Sequence, residues 1–134
     1  MSRFDVRYGY TRELKGISFD EAVQRTTEAL KTEGFGVLTT IDVKETLKKK
    51  TGADFRRYVI LGACNPALAH RALTAELGVG LLLPCNVTVF DSDDGQPVVQ
   101  VVKPKAMFEV VNKPGLEPIV EEVDQRLQRV LEKI

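Results

Sequence analysis

The spacing of hydrophobic and polar residues predicts alternating strands and helices along the whole chain. Period-two alternation and short apolar runs predict five strands, over residues 3–11, 35–43, 57–62, 81–90 and 98–102. Apolar positions three and four residues apart predict helices over residues 19–33, 66–77 and 117–133, with shorter ones over 44–51 and 104–111. This mixture of helices and a strand hairpin is typical of an α+β two-layer sandwich, in which helices cover one face of a largely antiparallel sheet.

Capping residues indicate where these helices begin and end. Ser18 is followed three residues later by a glutamate, which is the capping-box pattern that starts a helix. Asn65 is a preferred N-cap, and Pro66 suits the first helical position because its missing N–H would have no partner there. Gly34 and Gly52 can adopt the left-handed conformation that ends a helix. The helix from residue 66 therefore has a well-defined start.

Two predicted strands carry more information than the others. The strand over residues 57–62 is apolar on both faces, which indicates an interior strand or a strand at a subunit contact. The strand over residues 81–90 has one apolar face, formed by Leu81, Leu83, Cys85, Val87 and Val89. Pro84 cannot donate a hydrogen bond to a neighbouring strand, so it indicates an edge or a bulge at that point.

Composition limits the class of protein. The 134 residues have the length of one ordinary domain, covering residues 1–134. The 19 basic residues balance the 19 acidic ones, which argues against a nucleic-acid-binding protein because such proteins usually carry a basic face. The chain begins without a secretory-signal pattern, and no apolar run is long enough to cross a membrane. We therefore expect a cytoplasmic protein without membrane contacts, in which both cysteines are free thiols, ligands or redox groups.

The cysteines are the residues most suited to chemistry. Cys64 directly precedes the predicted N-cap Asn65, and a helix N-terminus lowers the pKa of a nearby thiol by favouring the thiolate. This position makes Cys64 the candidate nucleophile. The alternative is a small buried residue, since free cysteine is among the most buried residue types. Cys85, on the apolar face of its strand, is more consistent with a buried structural thiol.

The single histidine, His70, lies on the flank of the apolar stripe of its helix. A surface histidine is the simpler interpretation, and the functional one is a general base or ligand beside Cys64. The two residues are not adjacent on a helical wheel, so a direct dyad is not expected. A metal site would need Cys64, His70, Cys85 and a fourth ligand, and the spacings between these three match no zinc signature. We therefore predict no metal.

Basic residues are concentrated between Lys44 and Arg57. Six basic residues, which include Lys49 and Arg56, face two acidic ones over this stretch, a net charge of +4. Most such runs form a solvated face of the protein. The alternative is an anion or phosphate subsite near the start of the Asn65 helix.

Several segments together are similar to a known family. They are Gly34-Phe35-Gly36-Val37-Leu38-Thr39, Ile41-Asp42-Val43, Leu61-Gly62-Ala63-Cys64-Asn65-Pro66 and Leu83-Pro84-Cys85-Asn86-Val87. In their order and spacing, over nearly the whole chain, they resemble the family called domain of unknown function 302. The resemblance implies a fold similar to the TATA-binding-protein-like α/β arrangement, and a homodimer. It implies neither DNA binding, because fold does not carry function, nor a catalytic role, because the family has no established activity.

Three hypotheses of function remain open, and none of them names a cofactor. The first, which we favour, is binding or sensing of a small molecule, with an anionic one suited to the nearby basic residues. Its predicted site residues are Cys64, Asn65, Cys85, Asn86, Lys49 and Arg56. The second is thiol redox chemistry or metal binding by Cys64 and Cys85. The third is a homodimeric interaction module, which would use the two-sided strand over residues 57–62 and the apolar stripe of the last helix.

Overall fold

A five-stranded antiparallel sheet forms the centre of the protein, as seen in a computed structural model that describes residues 2–134. The strand order is β1-β5-β4-β3-β2, and every neighbouring pair is antiparallel. The strands are β1 (Gly9–Glu13), β2 (Gly36–Asp42), β3 (Tyr58–Cys64), β4 (Cys85–Asp91) and β5 (Pro97–Val102). β3 therefore lies inside the sheet, as its apolar character on both faces predicted.

Helices join the strands and cover one face of the sheet. They are α1 (Phe19–Thr32), α2 (Val43–Thr51), α3 (Pro66–Ala75), α4 (Pro104–Phe108) and α5 (Glu117–Lys133). Short 3₁₀ turns occupy Leu77–Leu82 and Pro114–Leu116. No helix within residues 2–134 combines the length and the apolar character needed to cross a membrane.

The main core lies between the sheet and the helices α1 and α5. Leu30 of α1 and Leu127 of α5 are fully buried against the sheet residues Val87, Val89 and Val99. A second, smaller cluster fills the space beneath α3, where Leu68 packs with Ile119. Burial of these apolar faces is the main force that holds the two layers together. The predicted α+β two-layer sandwich is confirmed.

The predicted first strand is too long at its N-terminal end. β1 starts at Gly9, where pairing with Val102 of β5 begins. The segment before it instead crosses the sheet face opposite the helices. There the Phe4 ring lies edge-on to Phe90, with ring centroids 5.3 Å apart, and its carbonyl accepts a hydrogen bond from Gln100 Nε2 at 2.7 Å. The alternating residues of this segment thus cover the sheet rather than extend it.

The predicted strand over residues 81–90 also begins too early, because pairing with β3 starts only at Cys85. The apolar run before Cys85 forms a 3₁₀ turn in which Val79 is fully buried and Leu81 is 92% exposed. Pro84 precedes β4 and is joined to Leu83 by a cis peptide bond. From Cys85 onward the predicted alternation is correct, with Val87 and Val89 buried.

The edge strand β2 contains a bulge at Leu38. Val37 pairs with Ala63 and Thr39 with Gly62, so Leu38 is the extra residue that has no partner on β3. A bulge changes which face the following residues occupy and bends the strand locally. Leu38 is left 68% exposed, at the end of the sheet where the Cys-Asn segments lie.

Candidate functional site

An apolar cavity lies on the helix-covered side of the protein. It has a volume of about 340 Å³ and lies where one end of β2, β3 and β4 meets α3, α4 and α5. Its walls include Phe35, Leu68, Leu73, Phe108, Ile119 and Val123. The exposed side chain of Leu38 stands at the rim, so the cavity is partly open to solvent.

The lining of this cavity carries no formal charge. Among residues 2–134, none of the residues that line it is Asp, Glu, Lys, Arg or His. The only side chains with oxygen, nitrogen or sulfur atoms are those of Thr39, Cys64, Asn65 and Cys85. A site of this composition suits an apolar molecule, because it offers nothing to neutralise a buried charge.

Asn65 links the cavity to the start of α3. Its Oδ1 accepts a hydrogen bond from the Leu68 N–H at 3.2 Å, which confirms the predicted N-cap. Its Nδ2 donates to the Glu33 carbonyl oxygen at 3.4 Å. Gly34, with φ +83°, passes so close that a Cβ there would lie 2.8 Å from Asn65 Nδ2. Both ends of the amide are therefore engaged in holding the fold, and Asn65 presents its remaining surface to the cavity.

Both thiols line the cavity. Cys85 is paired with Ala63, the residue that precedes Cys64 on β3. Both cysteines are free; Cys85 is buried and Cys64 half-buried. Burial, with a further contribution from Cys64, raises the pKa of Cys85 to about 11. Burial also raises the pKa of Cys64 above its usual value of 9.0.

The raised pKa of Cys64 is opposite to the direction expected from its position. A helix N-terminus favours the thiolate, whereas removal from water favours the neutral thiol, and burial is the cause of the raised pKa of Cys64. The direction of this shift does not support the activated nucleophile that the sequence suggested. A neutral thiol in an apolar wall acts mainly as a polarizable contact surface.

Gly62 allows Thr39 and Pro84 to lie close to β3. A Cβ at this position would lie 2.8 Å from Cγ of Pro84 and would clash with Oγ1 of Thr39. Both neighbours line the cavity. The glycine of the Leu61-Gly62-Ala63-Cys64 segment therefore lets two neighbouring chain segments approach each other over β3.

Asn86 lies on the other side of the sheet from the cavity. It pairs with Gly62 of β3 and is exposed in a shallow groove beside Tyr58, Thr88 and Gln100. Neighbouring residues within a strand point to opposite faces, and Asn86 points to the face away from the cavity. The structure thus brings together Cys64, Asn65 and Cys85 from the predicted set, but not Asn86.

The basic residues also lie away from the cavity. Lys49 is exposed on α2, where its Nζ is 3.4 Å from Glu45 Oε1. Arg56 is paired with Asp93 on the β4–β5 turn, with 2.9 Å between Nη2 and Oδ1. Neither residue lines the apolar cavity, and each has an acidic partner.

His70 is exposed on α3 and does not line the cavity either. Within residues 2–134 no group of three or more His, Cys, Asp or Glu side chains is arranged to hold a metal ion.

The walls supplied by α4 and α5 were not anticipated as part of the site. The helical spacing of α5 predicted a buried stripe, but Val120 and Val123 of that stripe face the cavity. Phe108, the last residue of α4, completes the same wall. No local pattern distinguishes a side chain that fills the core from one that borders a cavity, so only the tertiary structure reveals these three.

Comparison with known proteins agrees with the sequence motifs and the fold. The family model described as domain of unknown function DUF302 matches residues 10–134. The chain belongs to this family. A DUF302 crystal structure, that of an uncharacterized conserved protein from Bacillus stearothermophilus, is similar with a TM-score of 0.87 and 36% sequence identity. The similarity covers 96% of this chain and 98% of that one. No curated protein matches the DUF302 chain described here.

Proposed function

We propose that this domain binds a small, uncharged and mainly apolar molecule in the cavity between the sheet end and α3, α4 and α5. The observation that carries the proposal is the uncharged lining of a cavity of about 340 Å³. Small-molecule sites in proteins are typically apolar clefts with a few polar groups, and this volume is at the lower end of their range. The ligand would contact the two thiols and the edge of Asn65.

The size of the cavity is better explained by a ligand site than by a void left by imperfect packing. Protein interiors are close-packed, and voids much larger than a water molecule are few. An engineered apolar cavity of about 150 Å³ stays dry and takes up benzene. The cavity here is larger and has exposed Leu38 at its rim, so a ligand has a route in.

The location of the charges makes an anionic ligand less suitable than the sequence indicated. Lys49 and Arg56 point to other surfaces and are paired with acidic residues. A carboxylate or phosphate in this cavity would lose its hydration without gaining a cation. We therefore propose a neutral ligand.

The proposal is tested with the uncharged fluorescent probe N-phenyl-1-naphthylamine. We expect saturable binding to the wild-type protein with one site per chain. The Ala69→Phe substitution places a ring in the cavity from α3 and should abolish binding. Ala67→Phe, on the exposed side of the same helix, is the matched control and should bind like the wild type. Equal binding by both variants, or no binding by the wild type, would refute the proposal.

A second candidate function is self-association through the edge strand β2. The outer edge of β2 pairs with no strand in residues 2–134, and Leu38 and Ile41 are 68% and 46% exposed. An exposed strand edge is a template for antiparallel pairing with a second copy of the chain, and such a contact is self-complementary about a two-fold axis. The apolar stripe of α5 is not available for a dimer contact, because Leu127 and Val130 are buried in the core.

Light scattering of the purified protein tests this second candidate. We expect a dimer at micromolar concentration that Ile41→Lys converts to a monomer, since a charge would be buried at the contact. Lys50→Glu, on exposed α2, should leave the dimer intact. A wild-type monomer under these conditions would exclude a stable dimer.

A further inference from the structure

A second, polar groove lies directly behind one wall of the apolar cavity. It has a volume of about 400 Å³ and is formed by α4, the turn that follows it and the start of α5. Its charged residues are Lys105, Lys113, Glu109, Glu117 and Glu121. Three carboxylates against two ammonium groups give the lining an excess of negative charge. The groove and the apolar cavity therefore differ sharply in the ligands that they suit.

Phe108 and Val120 line both spaces and thus form the wall between them. Val120 is fixed on the long helix α5, whose residues Leu127 and Val130 are fully buried. Phe108 is the half-buried final residue of α4, which has five residues. The position of its ring depends on how this short helix packs against α5, where Lys105 is paired with Glu121 at 2.8 Å.

We propose that Phe108 determines the length of ligand that the domain accepts, by closing the apolar cavity on the side of the polar groove. This inference rests on the proposed function, because it concerns the selectivity of the same cavity. With the ring in place, the ligand is a compact apolar molecule that ends at Phe108. Without the ring, the two spaces join, and an elongated molecule with an apolar body and a polar end fits across both.

The direction of the selectivity follows from the cost of burying polar groups. A polar or charged group at the inner end of the cavity faces a ring and cannot reach a partner, so it would be desolvated without compensation. Past the wall, the same group meets carboxylates and water in the groove. Phe108 therefore excludes elongated ligands that would place a polar group next to its ring, at the end of the cavity that borders the groove.

The test uses straight-chain primary alcohols of increasing length, measured by displacement of N-phenyl-1-naphthylamine. In the wild type the affinity should rise about fourfold per methylene, from about 0.8 kcal/mol of burial each, up to a limiting length. In Phe108→Ala the rise should continue beyond that length. At two methylenes past the wild-type limit, the variant should bind about sixteenfold more tightly than the wild type. Phe108→Leu provides a milder variant with an intermediate limit.

Leu73→Ala is the matched control for volume. Leu73 lines the apolar cavity on the α3 side and not the polar groove, so its truncation enlarges the cavity without joining the two spaces. Alcohols that carry an amino group at the far end distinguish the two effects. They should bind Phe108→Ala more tightly than the plain alcohols, because the ammonium reaches the groove carboxylates, and should bind Leu73→Ala and the wild type more weakly.

The outcomes separate this inference from the function on which it rests. If the wild type binds neither the probe nor any alcohol, the proposed function fails and this inference fails with it. If the wild type binds but Phe108→Ala and Leu73→Ala share one length limit and reject the amino alcohols equally, the cavity remains a binding site and the role of Phe108 is refuted.

Discussion

At the scale of single residues, Cys64 is subject to two opposing influences. It precedes the N-terminus of α3, where positive backbone dipoles favour a thiolate, and it borders an apolar cavity, which favours the neutral thiol. Burial raises the pKa of this thiol. The thiol-chemistry hypothesis needs the reverse, because nucleophilic cysteines depend on a lowered pKa. The raised pKa of Cys64 therefore does not favour the thiol-chemistry hypothesis.

This balance predicts how the two cysteines react with iodoacetamide. The thiolate is the reactive form, so a raised pKa keeps labelling slow at neutral pH and lets it accelerate as the pH rises past 9.0, the usual value. Cys85, with its pKa near 11 and its side chain buried, should be labelled later than Cys64. Mass spectrometry of the folded protein at a series of pH values gives both rates.

The urea-unfolded protein is the control, in which both thiols should react at similar rates. Fast labelling of Cys64 in the folded protein at neutral pH would mean a stabilised thiolate. Thiol chemistry would then become the better hypothesis.

At the scale of helices and strands, the sequence predicted the helix ends well, because local capping and spacing determine them. The bounds of α5 follow from its apolar spacing. The starts of α1 and α3 follow from Ser18 and Asn65, each of which accepts a backbone hydrogen bond as its residue type predicts. The limits of β1 and β4 depend instead on which strand pairs with which. Leu81 illustrates this, since its apolar neighbours made it look like a strand residue and it is 92% exposed in a turn.

Part of the site could have been placed more accurately from the sequence. Cys85 and Asn86 are consecutive residues of one strand, and the alternation of a strand already predicts that their side chains point to opposite faces of the sheet. The distance of Lys49 and Arg56 from the cavity was not accessible in the same way, because it depends on where α2 lies relative to the sheet. Asp124 is an intermediate case. It interrupts the apolar stripe of α5 at a position with buried spacing, which indicates a polar group that needs a partner inside.

That partner is Tyr10, and the pair joins β1 to α5. Asp124 is fully buried and accepts hydrogen bonds from Tyr10 Oη at 2.9 Å and from Gln128 Nε2 at 2.8 Å. Burial and the hydrogen bond to Asp124 raise the pKa of Tyr10 to about 12. We expect Tyr10→Phe to lower the free energy of unfolding by about 1–3 kcal/mol, because it removes a donor from a buried carboxylate.

Urea unfolding followed by circular dichroism measures this loss. Tyr8→Phe removes a hydroxyl from a side chain that is 66% exposed, and its unfolding curve should match that of the wild type. Equal stability of the two variants would show that water or Gln128 replaces the Tyr10 hydroxyl at no cost.

At the scale of the whole molecule, Glu33 connects the elements around the cavity. Its carboxylate accepts hydrogen bonds from Arg129 and Lys133 of α5, while its carbonyl oxygen accepts from Asn65 at the start of α3 and from Arg126. One residue at the end of α1 therefore fixes two other helices. Because Asn65 borders the cavity, the geometry of the candidate site depends on this junction.

The junction makes the stability of the protein dependent on pH. Hydrogen bonds from Arg129 and Lys133 lower the pKa of Glu33 from 4.5 to about 2. A carboxyl group whose pKa is lower in the folded state stabilises the fold above its unfolded pKa, so this contribution is complete at neutral pH. It is lost as the pH falls from 4.5 towards 2. We expect it to amount to about 1–2 kcal/mol, since both cationic partners are half exposed and screened by solvent.

Glu33→Gln should therefore be less stable than the wild type at neutral pH. The difference should become small as the pH falls to about 2, the pKa of the wild-type carboxyl group, where half of these groups are protonated. Chemical unfolding at a series of pH values measures both curves. Glu28→Gln, at an exposed position on the same helix, is the control and should keep the acid dependence of the wild type. A Glu33→Gln curve that runs parallel to the wild type down to this pH would mean that the carboxylate contributes through its shape and not its charge.

Binding of N-phenyl-1-naphthylamine by the same variants shows whether the Glu33 junction affects the cavity. Loss of the junction would shift Asn65, so Glu33→Gln should bind the probe more weakly than the wild type. Glu28→Gln should bind it like the wild type.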